Sequence, residues 1–165
     1  SDESSFYSKS KHAAEIFMND HSYLINLRVR IPFTSDNTSR NYINKLKGYD
    51  QLISTPNSIT CVEELSDMLQ NLITTSDIYT IPFGTYNVVN PEPVSAKEVT
   101  ELMCLYGLEN PNWEFIELSD LNTRANRSNC VLSTEKLNSA GLGFKPTLES
   151  LEVAIKKLST HDKIL

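Results

Sequence analysis

Glycine is scarce in this sequence, and its scarcity excludes the familiar phosphate-binding loops. Only five of the 165 residues are glycine, and no two of them stand in a G-x-G-x-x-G or P-loop arrangement. The chain therefore has no glycine-rich turn with which to cradle the pyrophosphate of a dinucleotide.

Cysteine pairs, a basic excess and long apolar runs are also missing. The three cysteines form no C-x-x-C pair, which leaves zinc and redox motifs without support and is typical of reduced thiols in a cytoplasmic protein. With 15 Lys and Arg against 21 Asp and Glu, the net charge of −6 gives no field that would attract nucleic acid or an anionic membrane. No apolar run approaches the roughly 20 residues of a membrane span. The histidines show no ligand spacing, so we predict no metal, no nucleic acid and no membrane partner.

The pattern of the sequence is that of an α/β protein. At 39% hydrophobic residues the chain can bury a core, and helical and strand periodicities alternate along it, with a mixed sheet as well supported as a parallel one. Helices are predicted at 6–19, 40–47, 60–74, 95–107, 133–137 and from 147, and strands at 22–31, 51–55, 84–90 and 114–118. Pro32 is expected to end the first strand.

Two helix starts carry the same capping pattern. Thr60-x-x-Glu63 and Ser95-x-x-Glu98 each match the capping box, in which each side chain bonds the backbone of the other residue. The buried stripe predicted for the last helix consists of Leu148, Leu151, Ala154, Ile155 and Leu158.

A tyrosine and a lysine four residues apart form the first chemical motif. Tyr7 and Lys11 share one face of the first predicted helix. A free phenol has a pKa near 10, and a neighbouring cation lowers it, so such a pair can donate a proton to a carbonyl that is being reduced. A surface lysine beside a half-buried tyrosine accounts for the same spacing equally well.

Ordered blocks of sequence identify a family. The stretches FYSKSKHAAE, LRVRIP, SDNTSRNYINKL, STPNSITCVEEL, TYNVVNPEPVSAKEV and ANRSNCVLSTEKL occur in this order between Phe6 and about Leu158. Together they resemble the extended short-chain dehydrogenase/reductases. Within that family they resemble the dTDP-4-dehydrorhamnose reductase branch, and most closely the bifunctional 3,5-epimerase/4-reductases of UDP-rhamnose synthesis.

The resemblance implies a fold and an activity. The chain would be the C-terminal part of a Rossmann-like enzyme, with residues 1–33 ending the Rossmann domain. Residues 34–165 would form mostly a small mixed α/β substrate domain, with some elements returning to the Rossmann sheet. The expected reaction is reduction of a 4-keto-6-deoxyhexose nucleotide, carrying UDP or dTDP, by NADPH or NADH in the cytoplasm, with 3,5-epimerisation as a further activity. A homodimer is compatible with the family. Because the glycine-rich N-terminal half is absent, residues 1–165 are expected to be inactive alone; the alternative function is a non-catalytic binding or regulatory subunit.

The same resemblance assigns roles to the residues of the reductase step. Tyr7 matches the acid that protonates the oxygen at sugar C4, and Lys11 matches the residue that lowers the tyrosine pKa and binds the nicotinamide ribose. Arg30 and Pro32 fall in the strand and turn that pass the cofactor. Arg28 and Arg30 are also explained as ordinary strand residues facing solvent.

Three further positions are assigned to the substrate. Lys45 matches a lysine that acts as an acid in the epimerase reaction, although a solvated helix charge explains it as well. Arg127 and Asn129 match polar positions that face the nucleotide-sugar, with anchoring of a loop as the alternative for Arg127. Asn126 departs from the branch, where a proline is common, and this puts the conformation of that loop in question.

Overall fold

The computed structural model describes residues 6–19, 21, 23–75, 77–117, 120 and 129–162, without the side chains of Tyr7, Asn19, His161 and Asp162. The described helices are α1 (Phe6–Asn19), α2 (Tyr42–Gly48), α3 (Val62–Thr74), α4 (Ala96–Leu105), α5 (Glu135–Ser139) and α6 (Thr147–Asp162). The strands are β1 (Ile25–Arg28), β2 (Pro32–Phe33), β3 (Gln51–Ile53), β4 (Thr60–Cys61), β5 (Gly84–Asn87) and β6 (Glu114–Ile116). None of the described helices is long and apolar enough to cross a membrane.

The strands form three short parallel pairs. β1 pairs with β5, β2 with β4, and β3 with β6. One antiparallel bridge joins Asn57 to Val94. Parallel neighbours require long crossover connections, and here helices and loops supply them. The predicted α/β class is therefore confirmed, with parallel ladders throughout the named strands.

Two hydrophobic clusters hold these elements together. The larger lies among α2, β3, α4 and α6, and the smaller packs α3 and α5 against β5. The predicted stripe of α6 is buried at Leu151, Ala154, Ile155 and Leu158. Leu148 is an exception: it is 49% exposed, because it lies at the rim of a shallow groove between α4 and α6, outside the core.

The predicted strand 22–31 is interrupted. Regular pairing ends at Arg28, and Ile31 has a φ of 40°, a conformation that β-branched residues rarely adopt. This residue turns the chain, so that Pro32 does not end the first strand but begins β2, beside β4. Proline is tolerated as the first residue of a strand.

The two predicted capping boxes have different outcomes. The Ser95 box is present in full: its hydroxyl accepts from the Glu98 N–H and the Glu98 carboxylate accepts from the Ser95 N–H. The Thr60 box is wrong. The hydroxyl of Thr60 donates to the Val88 carbonyl (2.7 Å), and α3 begins instead after Cys61, which makes no side-chain cap.

Candidate active site

A cleft of about 980 Å³ lies beside α2, and we call it the α2 cleft. Its apolar lining includes Leu46, Leu52 and Val94. Its polar and aromatic lining includes Arg40, Tyr42, Lys45, Tyr49, Asp50, Asn57, Asn112 and Glu114. The cleft thus combines cations, carboxylates, amides and aromatic rings with apolar side chains, and such a mixture is typical of a small-molecule site.

A buried asparagine sets the position of α2. The side chain of Asn41 accepts from the N–H of Ile43 (3.2 Å), as an N-cap, and from the N–H of Thr34 (3.2 Å). Its amide donates to the carbonyls of Thr34 and Asp36. One side chain therefore joins the helix start to the loop after β2 and fixes the direction in which α2 carries Lys45.

A carboxylate on α3 holds the same loop from the other side. Glu63 accepts from the Thr34 hydroxyl (2.9 Å) and from the Ser35 N–H (2.6 Å) and hydroxyl (2.7 Å). Burial raises the pKa of Glu63, but the bonds from Ser35 and Thr34 outweigh it, and the net pKa lies below its usual value. Glu63 is therefore an anion at neutral pH, and as an anion it accepts all three bonds.

Asn57 connects two segments that are distant in sequence. Its Oδ1 accepts from Nη2 of Arg30 (2.7 Å) and from the N–H of Cys130 (3.0 Å), and its Nδ2 donates to the Thr55 carbonyl (3.1 Å). Asn57 also lines the α2 cleft. The stretch between β1 and β2 that carries Arg30 and the backbone at Cys130 therefore meet at the cleft wall.

Tyr42 lines the α2 cleft as well. Burial raises the pKa of this tyrosine to about 12, so its phenol stays protonated at neutral pH and is able to donate a hydrogen bond but not to act as a base.

The predicted site residues fall into two groups. Pro32 and exposed Lys45 line the α2 cleft, while half-buried Arg30 and exposed Asn129 lie close to it through Asn57 and Cys130. Tyr7 and exposed Lys11 lie on α1, which contributes no residue to the described cleft wall. Arg127 lies outside the described residues.

Sequence reasoning missed Asn41, Asn57 and Glu63. Asn41 precedes a predicted helix, so a cap preference could have identified it. Glu63 was noticed only as half of a capping box, and its actual partners are 28 and 29 residues away. Asn57 has no local signal, because its side-chain acceptor bonds reach across 27 and 73 residues.

Among the described residues, no group of three His, Cys, Asp or Glu side chains is arranged to hold a metal ion.

Proteins of rhamnose nucleotide synthesis are similar to this chain. It is 34% identical over 140 residues to the bifunctional dTDP-4-dehydrorhamnose 3,5-epimerase/dTDP-4-dehydrorhamnose reductase of Arabidopsis thaliana, a match covering 81% of this chain and 44% of that protein. It is 31% identical over 141 residues to protein L780 of Acanthamoeba polyphaga mimivirus, covering 82% and 46%. The crystal structure of L780, described as a UDP-rhamnose synthase, matches with a TM-score of 0.79 at 27% identity, covering 92% of this chain and 52% of that one.

The fold extends to a more distant reductase. The dTDP-4-dehydrorhamnose reductase of Bacillus anthracis, solved in complex with NADP, matches with a TM-score of 0.70 at 21% identity, covering 94% of this chain and 55% of that one. No family model matches the chain. The chain spans about half the length of each of these relatives.

Proposed function

We propose that this chain, which is homologous to the dTDP-4-dehydrorhamnose reductase branch of the extended short-chain dehydrogenase/reductases, carries catalytic and substrate-binding residues of a sugar-nucleotide reductase. The resemblance expected from the ordered sequence blocks is thereby confirmed. The observation that carries the activity is the α2 cleft, which both Pro32 and Lys45 line and where Asn57 binds Arg30 and the N–H of Cys130, the residue after Asn129.

The proposed reaction is reduction of the C4 ketone of a 4-keto-6-deoxyhexose nucleotide. NADPH or NADH supplies the hydride when bound. Tyr7 donates the proton to the C4 oxygen, and Lys11, four residues on along α1, lowers the tyrosine pKa and binds the ribose. Pro32 and Arg30 border the nicotinamide end.

The described residues fit the nicotinamide end of a dinucleotide but not its pyrophosphate. Gly84, Gly107 and Gly141 have positive φ, but they lie apart, at the start of β5 and in the turns after α4 and α5, and form no cradle for a pyrophosphate. We therefore assign the pyrophosphate to a part of the fold that the relatives have beyond this chain, and we expect residues 1–165 alone to be inactive.

The division into domains follows the same proposal. Residues 1–33 would end the Rossmann domain, and residues 34–165 would form mostly the substrate domain. The pairing of β1 with β5 supports a return of some elements of 34–165 to the Rossmann sheet. The apolar side chains that α1 leaves exposed, with Phe6 88% and Phe17 70% accessible, support the assignment of α1 to the Rossmann domain, since the helix then offers a face to a further part of the fold.

The substrate end is assigned to the α2 cleft and its neighbours. Arg40 and Lys45 supply positive charge for a diphosphate, and Arg127 and Asn129 are proposed to bind the nucleotide-sugar. Three free thiols support a cytoplasmic protein.

Epimerisation at C3 and C5 is the second proposed activity. Protons beside a ketone are acidic enough for an acid–base pair to exchange them. Lys45 is the proposed acid, because it is exposed and faces the cleft. The related Arabidopsis protein is named for both activities.

The test of the reductase uses the complete protein that contains this chain. Tyr7→Phe is expected to abolish oxidation of NADPH by a 4-keto-6-deoxyhexose nucleotide, while Tyr79→Phe, at an 88% exposed tyrosine, leaves it unchanged. Full activity in Tyr7→Phe contradicts the mechanism. Failure of the wild-type protein to bind NADPH or turn over the substrate favours the non-catalytic subunit.

The test of the epimerase separates it from reduction. Lys45→Gln is expected to abolish deuterium incorporation at C3 and C5 in heavy water, followed by NMR, while reduction of an already epimerised substrate continues. Lys97→Gln, at an exposed lysine on α4, is the matched control. Deuterium incorporation at the wild-type rate in Lys45→Gln removes Lys45 from the reaction.

A further inference from the structure

A bidentate ion pair joins α1 to the sheet. Nε and Nη2 of Arg28 donate to Oε1 and Oε2 of Glu15, each at 2.7 Å. The mutual contact lowers the pKa of Glu15 and raises that of Arg28, so the pair is ionised throughout the neutral range. Two parallel bonds between planar groups fix an orientation as well as a distance.

Arg28 is a rigid point of attachment. It ends β1, in register with Asn87 of β5, and its carbonyl accepts from the N–H of Val88 (2.8 Å). The sheet therefore holds the backbone of Arg28, and any movement at the pair must come from α1.

Glu15 lies on the same side of α1 as the proposed catalytic residues. Tyr7, Lys11 and Glu15 follow one another at intervals of four, which on an α-helix places them within about 80° of each other around the axis. The described side chains of α1 include none that is fully buried, and Ile16 and Phe17 are exposed. Core packing within this chain therefore does little to fix the rotation of the helix.

We propose that Arg28 and Glu15 are positioning residues that set the rotation of α1 about its axis and thereby aim Tyr7 and Lys11 at the substrate carbonyl. This inference rests on the proposed reductase function. The geometric requirement is strict, because side chains extend about 5–6 Å from a helix axis and a rotation of about 10° moves such an atom by about 1 Å. A misplacement of that size can reduce a rate by about a hundredfold.

Stability is not the main contribution of this pair. The side chains are 44% and 26% exposed for Arg28 and Glu15, and pairs of this kind usually add little to the free energy of unfolding. The expected consequence of breaking the pair is accordingly a loss of kcat in a protein that remains folded.

The kinetic test uses the complete protein. Arg28→Leu and Glu15→Gln are each expected to lower kcat about 10–100-fold, with KM changed less than about threefold. Arg28→Lys keeps the charge but loses the fork, and is expected to recover little of the rate. Because the two residues act as one unit, the double variant is expected to be no slower than the slower single variant.

Two kinetic results would overturn the proposal. One is wild-type kcat in Arg28→Leu while Tyr7→Phe is inactive. The other is a double variant whose loss is the product of the two single losses, since this indicates independent effects. Glu101→Gln, which breaks an exposed ion pair on α4, is the control and should leave kcat unchanged.

Hydrogen exchange separates this inference from the proposed function. In Arg28→Leu the amides of α1 are expected to exchange about fivefold faster or more, while those of α2 and α6 keep their rates. Unchanged exchange in α1 overturns the proposed positioning role of Arg28 and Glu15, whatever the activity of the protein. If the wild-type protein lacks reductase activity but Arg28→Leu still speeds exchange in α1, the restraint of α1 by the ion pair is supported and the proposed reductase function is refuted.

Discussion

Replacing Asn57 by alanine is expected to weaken the wall of the α2 cleft more than any other amide substitution there. The substitution removes two bonds accepted by Oδ1, from Arg30 (2.7 Å) and the N–H of Cys130 (3.0 Å), and one donated to Thr55 (3.1 Å). The backbone bonds between residue 57 and Val94 do not depend on the side chain and should persist. The loss therefore falls on the contact between the two segments.

The magnitude follows from the types of bond. A hydrogen bond to a charged group contributes about 1.5–3 kcal/mol and a neutral one about 0.5–1.5 kcal/mol. Asn57 is only half-buried, so water can replace part of each bond. We expect Asn57→Ala to reduce the free energy of unfolding by about 2–4 kcal/mol. Asn57→Asp keeps both acceptor bonds and should lose less than half as much.

Trp113 provides the assay. It is the single tryptophan of the chain, its Nε1 donates to the Leu46 carbonyl (2.7 Å), and it packs against the larger cluster. Urea unfolding followed by its fluorescence should show the midpoint of Asn57→Ala lowered by about 1–2 M. Asn112→Ala, at an exposed asparagine of the same cleft, should stay within about 0.5 kcal/mol of wild type. Equal losses in Asn57→Ala and Asn112→Ala, or in Asn57→Ala and Asn57→Asp, would refute the reasoning.

Three smaller predictions test other contacts. Ser95→Ala removes the cap bond to Glu98 and should reduce the free energy of unfolding by about 1 kcal/mol; an unchanged urea midpoint would contradict the cap. Because the folded-state pKa of Glu63 lies below 4.5, its stabilisation is present above that value and is lost as the pH falls through the folded pKa. Melting temperatures of wild type and Glu63→Gln should therefore differ at neutral pH and converge in acid. A difference that stays constant with pH would contradict the stabilisation by ionised Glu63. Burial raises the pKa of Cys61 to about 11, so iodoacetamide should modify exposed Cys104 first in the native protein, as mass spectrometry can check.

The helices could be predicted from the sequence because local periodicity encodes them. The bounds of α1 agree with the prediction, and four of the five residues of the α6 stripe are buried. The turn at Ile31 could not be predicted. Its positive φ is accompanied by contacts with a distant residue, since the Thr60 hydroxyl accepts from the N–H of Arg30 (3.1 Å) and the Thr60 N–H donates to the Ile31 carbonyl (3.4 Å). No local pattern contains that information.

In the candidate site, too, residues within local sequence motifs could be predicted, whereas contacts between distant segments could not. Lys45 and Pro32 were identified through their sequence blocks, and both line the cleft. Arg28 was interpreted as a strand residue facing solvent, because alternation along a strand predicts which face a side chain occupies but not what partner it meets there. Its actual partner, Glu15, lies on a helix whose rotation relative to the strand is a property of the tertiary structure.

The two capping boxes explain why a short motif can fail in a well-folded chain. The pattern Ser/Thr-x-x-Glu requires that both side chains be available to the backbone near them. Ser95 and Glu98 meet this condition, and their reciprocal bonds form. The Thr60 hydroxyl instead donates to the Val88 carbonyl, and the Glu63 carboxylate instead accepts from the loop at Ser35. The Thr60 hydroxyl satisfies the carbonyl of Val88, a fully buried residue, and a buried carbonyl without a partner costs about 1–3 kcal/mol. The motif therefore failed at a position where Thr60 joins β4 to the residue after β5 and Glu63 joins the start of α3 to the loop beside the proposed site.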